Sequence, residues 1–237
     1  MVPSAAEALL LRAYRPAESI SLWPPGLGEH VGENGPSRET AERDWGLKPV
    51  SLRIGAFVGG DPPTRLAETL SAFSLLRRTH PEAQLLIADR FPPAAQSLVK
   101  NWLAAEQPPA DTLVMVPEPG DEDLASFLAL CDQFWVPDQA TDSANGLLQA
   151  LAAGVPVIAS RTDLIADLIV DGENGLLVAP GEPPAMAAAA RRLAADPALA
   201  ARLAQRARQV PTWATPDGER ERLETILAKV GRVSRPA

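Results

Sequence analysis

One cysteine, two histidines and one tyrosine in 237 residues leave little from which to build a disulfide scaffold or a metal centre. Cys131 has no partner for an internal disulfide, which fits a reducing, cytoplasmic setting. His30 and His80 stand far apart with no ligand-like spacing, so neither a metal nor any other cofactor is expected. Basic charge is short as well. The 22 Lys and Arg against 30 Asp and Glu give a formal net charge of −8, which leaves no basic face for a phosphate backbone and counts against nucleic acid as a partner. Long apolar runs are missing too. The longest, 146–159, is interrupted by Gln149, Gly154 and Pro156 and falls short of the roughly 18–20 residues that cross a bilayer, so no membrane span is expected. Near the N-terminus Glu7 precedes and Arg12 follows the short leucine run 9–11, a pattern unlike an export signal.

What remains is 46% hydrophobic residues, enough for a sizeable core, with aromatics held to 5%, so that core must be aliphatic and alanine-rich. The 24 prolines and 16 glycines punctuate it often. From residue 52 onward, short β-branched or leucine-rich runs alternate with segments of helical period, the pattern of a parallel sheet covered on both faces. The runs predict strands over 52–58, 84–88, 113–116, 133–136, 155–159 and 175–178. Helices are predicted over 64–78, capped by Thr64, and near 94–105, 122–130, 145–153, 163–169, 184–195 and 197–209. The fold class is α/β, a Rossmann-like doubly wound parallel sheet of about six strands. Three segments are expected: 1–47, with a helix near 5–14, a short strand near 20–22 and a hinge-like linker; 48–211, the sheet domain; and 212–237, a last helix carrying Leu223, Ile226, Leu227 and Val230 on one face.

Ligands of such sheets bind beyond the carboxyl ends of the strands. There the loop after the fourth strand runs through Thr141, Asp142 and Asn145-Gly146-Leu147 into a helix, whose free amides form an anion site suited to a diphosphate. The loop after the first strand adds Gly59 and Gly60 to the same edge.

The run from Gly146 to Ser160, with its Ala153-Gly154-Val155-Pro156-Val157-Ile158, followed by Asp171-Gly172-Glu173-Asn174-Gly175-Leu176-Leu177-Val178, resembles the donor half of retaining GT-B glycosyltransferases of the family-4 type. Trp23 to Gly28 resembles the interdomain hinge of that family, and the likeness extends from about residue 20 to 209. It implies a site for a nucleotide diphosphate sugar and sugar transfer with retention. In the family a Glu, seven residues and a second Glu bracket the diphosphate turn, the second on the ribose hydroxyls. The matching positions here are Thr141 and Gln149, so both carboxylates are replaced, and Asp142 stands beside the first. The family's Arg after the first strand falls at Ala56, and its Lys falls in the loop from Gly60, where Arg65 is the candidate cation. The resemblance identifies no catalytic residue in this half. It also implies that the acceptor half of the cleft comes from a separately encoded partner or, for the exposed hinge and last helix, that a second copy of the chain covers them.

Plainer readings compete with each assignment. Gly146 serves a tight connection, Gln149 is a satisfied core amide, Arg65 is a solvated surface charge at a helix start, Asp142 is a helix N-cap and His80 closes a helix before Pro81. At the level of function, a glycosyltransferase-related donor domain stands against a non-catalytic binding or assembly subunit that keeps the fold, and against an effector-binding module unrelated to sugars.

Overall fold

A computed structural model describes residues 35–58, 64–88, 93–116, 121–137, 143–209, 221 and 224, of which 121–122, 143–145 and 163–164 are described by backbone alone. The helix read at 5–14, the strand at 20–22, the hinge-like run and the face formed by Leu223, Ile226, Leu227 and Val230 lie outside them. Along the chain the elements are α1 (Arg38–Asp44), β1 (Arg53–Phe57), α2 (Thr64–Arg77), β2 (Gln84–Ala88), α3 (Pro93–Glu106), β3 (Leu113–Val116) and α4 (Asp121–Ala129). Then follow β4 (Gln133–Val136), α5 (Ser143–Ala153), β5 (Val157–Ser160), α6 (Asp163–Ala166), β6 (Leu176–Val178), α7 (Pro183–Ala195) and α8 (Pro197–Ala207). Every strand pair is parallel, in the order β3-β2-β1-β4-β5-β6. The chain leaves β1 toward one edge and returns to β4 on its other side, so the carboxyl ends of β1 and β4 diverge at a topological switch point.

Period-two alternation sorts the strands between two cores. Leu86, Phe134, Val136, Val157 and Ala159 pack on one face, with Phe127 and Leu128 of α4 and Leu147, Leu148 and Leu151 of α5. Ile54, Ala56, Leu85, Ile87, Trp135 and Ile158 pack on the other, with Leu66, Leu70 and Phe73 of α2 and Met186, Ala190 and Leu193 of α7. This is the doubly wound α/β sheet that the alternating runs predict.

Most boundaries shift by a residue or two from the sequence reading, and three differences have a clear local reason. β5 starts at Val157 because Val155 still belongs to the end of α5, its N–H bonding Ala150 O at 2.9 Å behind Gly154 at φ +70°. α6 stops at Ala166 because Asn174 takes over the following backbone, donating to Leu168 O (3.0 Å) and accepting from Val170 N (2.8 Å). Thr64 is the first helical residue of α2 and not the cap before it.

α1 is absent from the sequence reading. Ser37 caps it, its Oγ accepting from Thr40 N (3.2 Å), and it buries Ala41 and Glu42. Glu42 meets Arg53, a fully buried arginine at the first position of β1. Arg53 Nη1 donates to Glu42 Oε1 (2.9 Å) and to Leu130 O (3.4 Å), Nε to Gln84 Oε1 (2.5 Å) and Nη2 to Lys48 O (2.8 Å). Asp132, just before β4, accepts from Arg53 N (2.6 Å) and pairs with Arg38, which also donates to Glu42 Oε1 (3.1 Å) and Val50 O (3.1 Å). Two positive and two negative charges close on themselves at the amino ends of β1, β2 and β4. Burial alone pushes the Glu42 carboxyl up, but hydrogen bonds from Arg53 and Arg38, with their charges, more than reverse it and hold it below the ordinary value.

Removing one member of a buried pair strands the other, at about 3–5 kcal/mol. Glu42→Gln should therefore lower the urea-unfolding free energy by that order at pH 7. Because the folded carboxyl ionises more readily than the unfolded one, its contribution is present above about pH 4.3 and is lost as the pH falls below it. The gap between wild type and Glu42→Gln should narrow on acidification, and urea titrations at pH 7 and pH 4 measure it.

Candidate functional site

The switch point is flanked by the start of α5, the next element after β4 among the described residues. α5 begins at Ser143, two residues before the predicted start, so Asn145 and Gly146 lie in its opening residues and not ahead of it. The first N–H groups of a helix lack intrahelical acceptors and carry the positive end of its dipole. Of the residues singled out from sequence, Gly59, Gly60, Thr141 and Asp142 lie outside the described residues, and Asn145 is placed by its backbone alone. Leu147 points into the core and is fully buried, so only its backbone is available to a ligand.

Gln149 is 8% exposed, and its Oε1 has no hydrogen-bond partner among the described residues. That sets it apart from the other buried glutamines. Gln84 accepts from Arg53 and donates to Asp111 O (2.7 Å), while Gln133 donates to Ala190 O (3.0 Å) and accepts from Trp135 Nε1 (3.4 Å). The reading of Gln149 as a satisfied core amide does not hold for its oxygen. An orphaned buried acceptor costs about 1–3 kcal/mol unless a donor arrives, and here it sits on the helix that opens at the switch point. Arg77 Nε, in the last turn of α2, is the other such atom among the described residues, and it lies at the far end of its helix from the strand carboxyl ends.

Arg65 corrects a second expectation. It is 7% exposed, not a solvated surface charge, because the first turns of α2 bury Arg65, Leu66, Thr69 and Leu70 together and Thr69 Oγ1 donates to Arg65 O (2.8 Å). A buried guanidinium near the carboxyl end of β1 is a stronger electrostatic element than an exposed one. Ala56, in contrast, is fully buried in mid-strand, where a longer cationic side chain would enter the core and not a loop.

The Asp171–Gly175 motif is occupied with itself. Leu177 N donates to Asp171 Oδ1 and Gly172 N to Gly175 O, both at 2.8 Å, with Gly172 at φ +77°. The motif shapes the turn into β6. A shallow depression between Glu68, Pro137, Ser160, Gly181 and Met186 shares the carboxyl edge, but it has room for little more than a water molecule. The Cys131 thiol, donating to Phe127 O (3.2 Å), is pushed up by burial and by the Asp132 charge, so it is no nucleophile. Among the described residues no group of three or more His, Cys, Asp or Glu is gathered as metal ligands, and no helix is long and apolar enough to cross a membrane.

A family model described as "Glycosyl transferases group 1" matches residues 51–210. The chain belongs to that family. Glycosyltransferases similar to it include a D-inositol 3-phosphate glycosyltransferase of Stackebrandtia nassauensis, 28% identical over 85% of this chain and 46% of the relative. A glycogen synthase of Mycobacterium tuberculosis is 30% identical over 60% of this chain and 34% of the relative. The chain thus spans less than half the length of these curated relatives. Among solved structures, sucrose-phosphate synthase from Thermosynechococcus elongatus superposes with a TM-score of 0.81 at 24% identity, over 98% of this chain and 58% of that one. Anabaena HepE in complex with UDP and glucose gives 0.80 at 18% identity, over 97% and 62%. The C-terminal domain of the Francisella tularensis glycosyl transferase LpcC gives 0.65 at 19% identity, over 77% and 95%. These likenesses fix the fold as that of GT-B glycosyltransferases. The loop-to-helix pattern marked α5 from sequence but gave no sign of Phe57, whose ring lies against Gly146.

Because Gln149 Oε1 has no partner among the described residues, replacing it with an apolar side chain should stabilise the free protein. Gln149→Leu should raise the unfolding free energy by about 1 kcal/mol in urea titration. A loss of similar size would mean that the amide is already satisfied.

Proposed function

We propose that the chain binds a nucleotide diphosphate sugar, on uridine or guanosine diphosphate, at the carboxyl edge between β1 and β4, and serves as the donor-binding half of a retaining glycosyltransferase. The observation that carries this reading is the unpartnered Oε1 of Gln149, buried on the helix whose amino end faces the switch point. A diphosphate suits the free amides at the start of α5, and a ribose hydroxyl is a donor of the kind that Gln149 Oε1 lacks. Support comes from membership in the group 1 family and from structural neighbours solved in complex with UDP or UDP-glucose. In this reading the donor-type domain covers about residues 48–211, and α1 packs against it through buried Ala41.

A neutral amide at position 149 and Thr141 at the other bracketing position supply no charge-assisted hydrogen bonds, so donor affinity is weak and no metal is required. The same two substitutions support the second reading, a binding or assembly subunit that has kept the fold without catalysis.

Calorimetric titration with UDP-glucose and GDP-mannose at millimolar concentration tests the binding claim. Wild type should give measurable heat with at least one of them, and Gln149→Glu together with Thr141→Glu should tighten it by about tenfold. Complete absence of heat in wild type and in the double variant alike would reject the donor site. The isolated chain should transfer no sugar, since reacting groups must be held in attack geometry by both halves of a cleft. Turnover by the chain alone would favour a complete enzyme over both readings.

A further inference from the structure

Gly146 is glycine for a reason that its own backbone does not supply. It is helical, and the described glycines with positive φ are Gly46, Gly154, Gly172 and Gly181. A glycine inside a helix is less favourable than alanine by about 1 kcal/mol. What forbids a side chain is Phe57, the last residue of β1: a Cβ at position 146 would overlap Phe57 Cδ2 outright, with Cε2 at 3.0 Å and Cγ at 3.5 Å. The ring is partly buried and backed by two others. It lies 5.1 Å from Phe127 and 5.0 Å, edge-on, from Phe134, centroid to centroid. Behind these two, a Cβ at Gly55 would come within 3.2 Å of Phe127 Cε1 and 3.3 Å of Phe134 Cδ2 and would overlap Cys131 Sγ. Three of the five phenylalanines of an aromatic-poor chain are thus wedged between two glycines, one in β1 and one in α5.

Resting on the nucleotide-sugar reading above, the geometry points to Phe57 as a positioning residue. Its ring sets how closely the start of α5 approaches the carboxyl end of β1, Gly146 is the notch that receives it, and Phe57 itself touches no ligand. Gln149 is less than one turn further along the same helix, so any displacement at position 146 moves its oxygen and the free amides together. Hydrogen bonds weaken steeply with small changes in distance and angle, so a shift of this kind reads out as lost affinity. The competing explanation is that Gly146 is small so that the ligand itself can approach.

A double-variant cycle separates the two, with UDP and GDP as probes in calorimetry and amide hydrogen exchange over 147–150 as a readout that needs no ligand. Phe57→Val removes every atom beyond Cγ while keeping a side chain suited to a strand. Gly146→Ala alone should weaken nucleotide binding by about tenfold and speed α5 exchange, the result expected of overpacking. Adding Phe57→Val should restore both to the level of Phe57→Val alone. Binding and exchange unchanged in Gly146→Ala, or a double variant no better than Gly146→Ala, would overturn the assignment. If wild type binds neither nucleotide, the proposed function fails, and the exchange arm still decides whether Phe57 sets the position of α5.

Discussion

A full positive charge buried at the first residue of the central strand is the constraint on which the rest of this fold depends. Arg53 cannot be left without partners in the interior, and its guanidinium is met from α1, from β2 and from the carbonyls of Lys48 and Leu130. Asp132 closes the same network from the start of β4. The amino ends of β1, β2 and β4 are thereby fixed to one another and to the helix that precedes them. Since the three strands start together and run parallel, their carboxyl ends emerge together, and the switch point between β1 and β4 inherits its geometry from charges at the opposite edge.

The two edges differ in how completely their polar groups are satisfied, and that difference separates structure from function. At the amino edge every charged side chain of the network has its partner. At the carboxyl side, Gln149 keeps an acceptor without one among the described residues, on a helix whose first amides have no intrahelical acceptor. A fold that gives partners to both ends of Gln84 and Gln133 has no general difficulty with buried amides, and on the proposed function the third is where a ligand completes the hydrogen bonding. The aromatic wedge of Phe57, Phe127 and Phe134 lies beside α5, with the Phe57 ring between the end of β1 and the start of that helix.

Much of this was legible in the residues. The strands at 84–88, 113–116 and 133–136 were readable to the residue because each is a short apolar run bounded by polar or turn residues, and their alternation with helical segments implied the parallel sheet. α1 was not legible, since its buried face presents Ala41 and a carboxylate, and a buried Glu has the look of a surface residue until its arginine is in place. Arg65 was misjudged for the same reason. In the site, the loop-to-helix motif located α5, but whether Gln149 was satisfied depended on neighbours that no spacing rule supplies. Phe57 gave no signal at all, because an aromatic at a strand end does not announce which helix rests upon it.

The central claim, that the start of α5 and Gln149 form the donor site, is tested most directly by titrating UDP-glucose and GDP-mannose into isotope-labelled protein and following backbone and side-chain amide resonances. The account predicts shifts concentrated in residues 143–149, including the Gln149 side-chain amide, with α1 and the Arg53 network unmoved. Saturable shifts confined to other elements, or none at millimolar ligand, would contradict it.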